Sequence, residues 1–445
     1  MQPLRGSRQD LAMIDLSEIE NSLIDDRIKG VPGGVRPFPL RDAGRQGWNL
    51  LREDLPLPAA VLHASALANN SRWMMEFLAR SGAAIAPHGK TSMAPQLFRQ
   101  QLADGAWGIT VATVHQLQVC RRFGFGRITL ANQLIGRPAV AYVLEELRRD
   151  PAFEFYALID SAEQAERLAA AARGAGPGRP LNLLLEGGNA GGRTGCRDLE
   201  SALAVARAVK AAGPHLALRG VEGFEGLMAG AGTAEQDANV RAFLGFLAEI
   251  AAACDREDLF APGPAILSAG GSAFYDLVTE ILGGLRLRRE TRLVTRSGCY
   301  LTHDSAMYRG FFERLRERTP EAAQIGGGLR PALELWAYVQ SRPEPGKAIL
   351  TLGKRDAGQD AGLPLPLRWF RPGRDRAPVA MPPGCSLTEM NDQHAHMAVP
   401  ADSPLAVGDL IGLGISHPCT TFDKWQILWV VDDAYNVVSA VRTFF

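Results

Sequence analysis

Short apolar segments alternate with helical segments over the middle of this chain, and this alternation restricts its possible folds more than any other feature. Strands separated by helices of ten or more residues predict βαβ units and a parallel sheet. Eight successive units predict a (β/α)8 TIM barrel. A doubly wound open sheet is the alternative, but its G-x-G-x-x-G fingerprint is absent after the first strand. The predicted strands are 59–64, 83–87, 108–112, 127–132, 153–160, 181–186, 216–223 and 265–269.

The alternation ends near residue 301. Residues 326–445 contain many prolines and glycines and short alternating strands, such as 347–352, 409–415 and 427–431. This pattern predicts a second, mostly β domain. We therefore divide the chain into an N-terminal extension (1–54), a barrel (55–300) and a C-terminal β domain (301–445).

The composition favours a soluble protein that acts on a small molecule. Lys and Arg number 48, as do Asp and Glu, so no basic field attracts nucleic acid or an anionic membrane. No segment has the ~18 consecutive apolar residues of a membrane span, and the N-terminus lacks the apolar core of a signal peptide. The six cysteines show no disulfide-framework spacing, which predicts a cytoplasmic location.

Lys90 follows the second predicted strand, within the sequence Pro-His-Gly-Lys-Thr at 87–91. The carboxyl ends of barrel strands form the mouth where catalytic residues collect. An ammonium group enclosed there loses hydration, so its pKa falls and the amine can react with carbonyl groups. A lysine on a surface loop is the simpler interpretation of this residue alone, and the motifs downstream argue against it.

A glycine-rich loop follows the strand 181–186 and carries Arg193. Residues 187–194 match the P-loop pattern except that arginine replaces the lysine. An arginine fork does not replace the compact charge of that lysine, so a nucleoside-triphosphate hydrolase is disfavoured. Arg193 is better suited to donate a bidentate hydrogen bond into a barrel mouth. A plain surface turn is the other alternative.

Two later loops contain many small hydrogen-bond donors. The loop 268–272 precedes a helix, where backbone N–H groups favour a phosphate. The loop 297–300, Ser-Gly-Cys-Tyr, follows soon after. Phosphate often lies after the last strands of a barrel, so both loops are candidates for phosphate binding. The candidate residues are Ser268, Gly270, Gly271, Ser272, Gly298 and Tyr300.

His417 and Cys419 follow the predicted strand 409–415. Residues i and i+2 of an extended segment face the same side, so the imidazole and the thiolate can bind one ion. One nitrogen and one sulfur ligand favour zinc over magnesium or calcium, and two protein ligands leave positions for water or substrate. His394 and His396 lie in the same region. A purely structural His-x-Cys pair is the alternative.

In their order along the chain, these motifs resemble those of the metal-dependent, alanine racemase-fold (fold type III) pyridoxal-phosphate enzymes, the family of D-serine dehydratase and D-threonine aldolase. The resemblance covers about residues 55–440. It implies a barrel that holds the cofactor, a β domain that includes the N-terminal segment, and a homodimer. The motifs lie at 87–91, 192–195, 268–272, 297–300 and 417–419.

The resemblance also implies roles for individual residues. Lys90 matches the lysine that forms the Schiff base with pyridoxal 5'-phosphate, and Arg193 matches the arginine near the cofactor's phenolate oxygen. The two small-residue loops match the phosphate-binding loops. His417 and Cys419 match the metal pair, for which we expect Zn²⁺, with Mn²⁺ as the alternative.

A cysteine as the second metal ligand is typical of the dehydratase branch, whereas aspartate is typical of the aldolase branch. We therefore expect elimination of water from a D-3-hydroxy amino acid, of the D-serine or D-threonine type, to give a 2-oxo acid and ammonia. Lys90 is the expected base. Retro-aldol cleavage to glycine and an aldehyde is the first alternative, followed by an amino-acid racemase and a non-catalytic carrier of the cofactor. The first 50 residues and an insertion around 355–378 depart from the smaller members.

Overall fold

The computed structural model describes residues 11–445, so the first ten residues of the predicted extension lie outside it. The segment before the barrel contacts the C-terminal part of the chain. The Trp429 indole donates to the Gly30 carbonyl at 3.0 Å, and the Asn49 amide donates to Asn436 Oδ1 at 2.9 Å. Its elements are α1 (Ser17–Glu20), β1 (Leu23–Ile24), β2 (Phe38–Pro39), the 3-10 helices Leu40–Gln46 and Leu50–Arg52, and β3 (Ala59–His63).

Eight parallel strands form a closed barrel. They are hydrogen-bonded in the order β4-β11-β10-β9-β8-β7-β6-β5. Trp107 N donates to Ile85 O at 2.7 Å and Thr110 N donates to Pro87 O at 2.9 Å, which joins β5 to β4 and closes the sheet. The predicted barrel is therefore confirmed. Its strands are β4 (Ala84–Ile85), β5 (Ile109–Val111), β6 (Arg127–Gln133), β7 (Glu154–Ile159), β8 (Leu181–Gly187), β9 (Leu216–Gly223), β10 (Ala265–Ser268) and β11 (Thr291–Thr295).

Helices surround this barrel, and several begin or end at residues that favour a boundary. Ser161 and Asp198 act as N-caps, since their side chains accept from Gln164 N at 3.2 Å and Ser201 N at 2.7 Å. No helix among residues 11–445 is long and apolar enough to cross a membrane. The helices are α2 (Ala64–Ser81), α3 (Pro95–Asp104), α4 (Val114–Arg122), α5 (Arg137–Arg149), α6 (Ala162–Ala175), α7 (Leu199–Ala211), α8 (Thr233–Arg256) and α9 (Tyr275–Gly284).

The rest of the chain is mostly antiparallel β-structure, as predicted. The long strand β12 pairs with β3, β13 and β18. The strands are β12 (Leu333–Glu344), β13 (Lys347–Leu350), β14 (Leu365–Phe370), β15 (Val379–Ala380), β16 (Ser386–Met390), β17 (Ala395–Ala398), β18 (Leu410–Gly414), β19 (Ile427–Val431) and β20 (Val437–Arg442). The helices are α10 (Met307–Arg318), α11 (Pro320–Ala323) and α12 (Cys419–Phe422).

The prediction that 59–64 opens the barrel is wrong. Strand β3 pairs antiparallel with β12 and parallel with β19, so it belongs to the β domain. Ala59 to Leu62 are all buried, and an apolar run buried on both faces does not indicate which sheet it joins. The eighth barrel strand is β11. The loops 268–272 and 297–300 therefore follow barrel strands seven and eight, the usual place for phosphate.

The β domain also buries the carboxylate of Glu334. It forms ion pairs with His63 and Arg368, both at 2.9 Å, and accepts from Trp336 Nε1 at 3.2 Å and the Tyr435 hydroxyl at 3.1 Å. Burial alone would raise the pKa of Glu334, but His63 and Arg368 outweigh it and lower the pKa to about 2. The carboxylate is therefore fully partnered inside the sheet.

Candidate active site

A polar cavity lies at the mouth of the barrel, where the carboxyl ends of the parallel strands meet. Titratable side chains from four barrel strands and the loops that follow them face it, although these residues are distant in sequence. Such a concentration of charge in a concave site is characteristic of catalysis rather than of core packing. The residues include Lys90, Glu186, Arg193, Glu222 and Arg296.

Lys90 lies on the 3-10 turn Gly89–Thr91 that directly follows β4. The turn is closed by the hydrogen bond from Thr91 N to His88 O at 3.2 Å. The lysine is open to solvent through the mouth but is enclosed by protein on its other sides. This enclosure lowers the pKa of Lys90, and the positive charges of Arg193 and Arg296 lower it further, although the nearby thiols oppose the shift.

Arg193 is held at the rim of the mouth by its own loop. Its guanidinium lies over the Phe224 ring, 4.9 Å from the ring centre. The next residue, Thr194, donates to Glu186 Oε1 at 2.8 Å, and Gln133 donates to Glu186 Oε2 at 2.5 Å. Burial raises the pKa of Glu186. The loop thus places an arginine at the cavity.

The backbone donors of Gly270 and Gly271 already have an acceptor, and it is a side chain of this protein. Gly270 N donates to one oxygen of Glu225 and Gly271 N donates to the other, both at 2.9 Å. A Cβ added at Gly271 would come within 2.8 Å of the Phe224 ring, so this side of the loop is tightly packed. The two N–H groups predicted to bind phosphate are therefore occupied by the Glu225 carboxylate.

Other contacts join the loops after barrel strands seven and eight. The Ser297 hydroxyl donates to Gly271 O at 2.7 Å, and Cys299 N donates to Ser272 Oγ at 3.0 Å. Gly298 lies against the Lys90 turn, because a Cβ there would be 2.5 Å from Thr91 Oγ1. Gly298 thus lies beside the Lys90 turn, and Ser272 holds the residue that follows Gly298.

Two predicted phosphate residues do not line the cavity itself. Ser268 is the last residue of β10, pairs with Glu222 of β9 and is buried. The Tyr300 ring is buried in the core next to Gln101 and Asp104 of α3, so its phenol does not face the mouth.

Arg296 is a site residue that the sequence did not reveal. It follows β11 directly, forms an ion pair with Glu222 at the end of β9, and donates from Nη2 to Gly223 O at 2.9 Å. Burial raises the pKa of Glu222 to about 8 despite this arginine. Recognition of β11 as a barrel strand would have identified Arg296 as a strand-end residue.

His417 and Cys419 lie beside the Lys90 turn. The Cys419 thiol is 3.4 Å from Thr91 Oγ1, and His417 Nδ1 is 2.6 Å from Asp360 Oδ2. Burial would lower the pKa of His417, but Cys419 and Asp360 outweigh it and raise the pKa to about 9. Asp360 lies in the insertion around 355–378, and no sequence pattern indicated its role.

These residues fit the two groups implied by the sequence resemblance. Arg296 Nε and His88 Nδ1 are buried at the mouth without a hydrogen-bond partner among residues 11–445, and a polar cofactor there would satisfy them. The pairing of His417 Nδ1 with a carboxylate is the arrangement usual for metal-binding histidines. In the described part of the chain, however, no three His, Cys, Asp or Glu side chains already surround one metal position.

Comparisons with known proteins agree with this architecture. Residues 62–276 match the alanine racemase N-terminal domain, and residues 332–431 match the putative serine dehydratase domain. The D-threonine aldolase of Arthrobacter sp. is 25% identical over 402 residues, which cover 90% of this chain and 94% of that protein.

Two solved structures show the same fold. D-threonine aldolase from Filomicrobium marinum has a TM-score of 0.73 at 20% identity, with 89% of this chain and 97% of that chain covered. D-threo-3-hydroxyaspartate dehydratase from Delftia sp. HT23 has a TM-score of 0.67 at 21% identity, with 89% and 99% covered.

Structures of D-threo-3-hydroxyaspartate dehydratase also include two alanine variants. One replaces a histidine, at 22% identity to this chain, a TM-score of 0.68 and coverage of 91% and 98%. The other replaces a cysteine two positions later and is in a metal-free form, at 21% identity, a TM-score of 0.68 and coverage of 89% and 99%. The resemblance found in the sequence is thus confirmed, and the chain belongs to the fold type III, alanine racemase-like family of pyridoxal-phosphate enzymes.

Proposed function

We propose that this protein is a pyridoxal-phosphate- and metal-dependent lyase that eliminates water from a D-3-hydroxy amino acid, giving a 2-oxo acid and ammonia. The observation that carries this proposal is the position of the His417–Cys419 pair beside the turn of Lys90. An imidazole and a thiol next to a strand-end lysine supply groups for a Lewis-acidic metal and for proton transfer at one site.

The residues of this chain would have separate roles in cofactor attachment, proton transfer and anion binding. Lys90 would hold the cofactor, and its amine, once free, would take the proton from Cα because its pKa is lowered. Arg193 and Arg296 place positive charge at the mouth, where anionic groups of the cofactor and the substrate would bind. When bound, pyridoxal phosphate supplies an electron sink at Cα and a divalent metal supplies a Lewis acid for the β-hydroxyl.

The metal would be held by His417 and Cys419. Asp360 orients the histidine through its Nδ1 atom, which leaves Nε2 for a ligand. Hydroxide is a poor leaving group, so a metal site next to the proton-transfer residue favours elimination over simple exchange of the Cα proton. The same His-x-Cys spacing occurs in the dehydratase for which histidine and cysteine variants were solved, and this supports the dehydratase assignment.

Retro-aldol cleavage to glycine and an aldehyde is the second candidate. The relative that is 25% identical over 90% of this chain is named D-threonine aldolase, and this likeness favours the alternative. Both reactions begin with the same bound amino acid, so the same residues would serve either one. We further propose that the enzyme is a cytoplasmic homodimer that prefers Zn²⁺ over Mn²⁺.

Product analysis tests the proposal. Enzyme purified with pyridoxal phosphate and Zn²⁺ is incubated with D-threonine and with D-serine. We expect 2-oxobutyrate or pyruvate together with one equivalent of ammonia. Glycine and acetaldehyde from D-threonine would replace the dehydratase assignment with the aldolase assignment. A cofactor-loaded protein that produces neither set, even with D-3-hydroxyaspartate, would contradict both.

A further inference from the structure

Cys299 lies next to the proposed metal pair and has no assigned role in the proposed elimination reaction. We propose that Cys299 is a third protein ligand of the metal ion, so that two thiolates and one imidazole bind it. This inference rests on the proposed metal binding by His417 and Cys419. Cys299 comes from the loop after barrel strand eight, whereas the other two residues come from the β domain.

The distance between the two sulfur atoms supports shared binding. Cys299 Sγ and Cys419 Sγ are 3.7 Å apart. Two thiolates bound to one tetrahedral zinc at about 2.3 Å are separated by about 3.8 Å, so the pair already has the required spacing. Both cysteines are free thiols, with no disulfide between them.

Cys419 connects the set, because it contacts His417 on one side and Cys299 on the other. Cys419 thus contacts both other donors, although no three His, Cys, Asp or Glu side chains surround one metal position among residues 11–445. Binding of one ion by all three donors would require their side chains to rotate around it. Binding of the ion would supply the free energy for that adjustment.

The surroundings of Cys299 also suit a thiolate ligand. Its backbone N–H is held by Ser272 Oγ at 3.0 Å, which fixes the loop. Thr91 Oγ1 lies 3.9 Å from Cys299 Sγ and 3.4 Å from Cys419 Sγ. Hydroxyl groups that contact ligand atoms in this way tune metal–thiolate bonds.

A ligand set with two sulfurs has a chemical consequence. Soft thiolates favour zinc and other thiophilic ions over manganese or magnesium. An ion bound by Cys299 and Cys419 would also connect the barrel loop beside the cofactor to the β domain. We therefore expect tight zinc binding and poor replacement of zinc by manganese.

Zinc K-edge X-ray absorption on the full-length, cofactor-loaded enzyme tests the proposal by counting sulfur ligands. We expect two sulfurs at about 2.3 Å in the wild type and one in C299S and in C419S. Competition with a chromophoric chelator should show more than a ~100-fold loss of zinc affinity in C299S, beyond the 10–100-fold typical of outer-shell changes. C385S is the matched control, since this partly exposed cysteine lies outside the site.

One sulfur in the wild type, with zinc affinity unchanged in C299S, would overturn the assignment of Cys299 and leave His417 and Cys419 as the proposed ligands. A Cys299–Cys419 disulfide in the active enzyme, detected by mass spectrometry, would also overturn it. Absence of bound zinc in the wild type would reject the metal part of the proposed function itself.

Discussion

Glu334 in the β domain and Glu222 at the barrel mouth are both buried glutamates, but their surroundings shift the pKa in opposite directions. Four side chains pair with Glu334, and its pKa falls to about 2. Glu222 has one ion-pair partner, Arg296, and burial raises its pKa to about 8. The first carboxylate is a satisfied structural group, whereas the second keeps part of its desolvation cost.

This difference separates a region built for stability from one built for binding. Glu222 is incompletely paired, and Arg296 Nε has no hydrogen-bond partner within residues 11–445. Buried polar groups of this kind are typical of ligand-binding sites. Substitutions at the mouth should therefore change binding and turnover, whereas those around Glu334 should change the free energy of unfolding.

The largest effect should come from Lys90→Ala. The proposed cofactor attachment and the Cα base are both lost, so we expect kcat/KM to fall by at least about 10³-fold. The free energy of unfolding of the apo protein should change little, since the side chain is open to solvent. Steady-state kinetics and urea denaturation measure the two quantities. Activity within tenfold of the wild type would exclude Lys90 from the mechanism.

Glu334→Ala tests whether the buried glutamate of the β domain contributes to stability. Three basic or phenolic partners would lose their acceptor, and we expect a loss of about 3–5 kcal/mol in the free energy of unfolding. Glu222→Gln is the comparison at the mouth, for which we expect a smaller loss, because burial raises the pKa of Glu222 to about 8 and the neutral amide resembles its protonated form. Equal losses for both would remove the distinction between the two regions.

The pH dependence of stability should have opposite signs at the two glutamates. Folding lowers the pKa of Glu334, so its stabilising contribution is complete above the ordinary value of 4.5 and is lost as the pH falls toward 2. Folding raises the pKa of Glu222, so its contribution decreases as the pH rises from 4.5 to about 8. The stability of Glu222→Gln relative to the wild type should thus increase over that range in urea titrations at fixed ionic strength.

Asp360→Asn should weaken zinc binding by about 10–100-fold, the usual effect of losing a carboxylate behind a metal-binding histidine. The asparagine keeps the size of the side chain and removes the charge next to His417 Nδ1. Chelator competition measures the affinity. Asp423→Asn, an acidic residue just beyond the metal pair, is the control. Unchanged affinity in Asp360→Asn would mean that the His417–Asp360 contact is only structural.

Glu225→Gln should have the smallest effect, about a tenfold rise in the dissociation constant of pyridoxal phosphate. The amide accepts from only one of the two N–H groups that the carboxylate holds, and a hydrogen bond to a charged group contributes about 1.5–3 kcal/mol. Absorbance titration of the apo protein measures this constant. Tighter binding in the variant would instead mean that Glu225 competes with the phosphate.

The sequence predicted the periodic parts of the fold, because eight alternations and strand-end residues leave few possible architectures. It misplaced the segment 59–64, since pairing with β12 and β19 depends on residues far along the chain. Lys90 and Arg193 were found as strand-end or loop residues, and the structure places both at the mouth. Asp360 and Glu225 were missed because each acts through a contact distant in sequence that no local pattern encodes.

The pairing of β3 with strands from the far end of the chain has a consequence for biosynthesis. During translation, the barrel segments emerge from the ribosome before β12 and β19 have been synthesised. The apolar strand β3 therefore remains unpaired during this time. Such exposed strands are prone to aggregation and to capture by chaperones. The β domain should therefore be completed late in synthesis, and ribosome-stalled fragments that lack β19 should be insoluble.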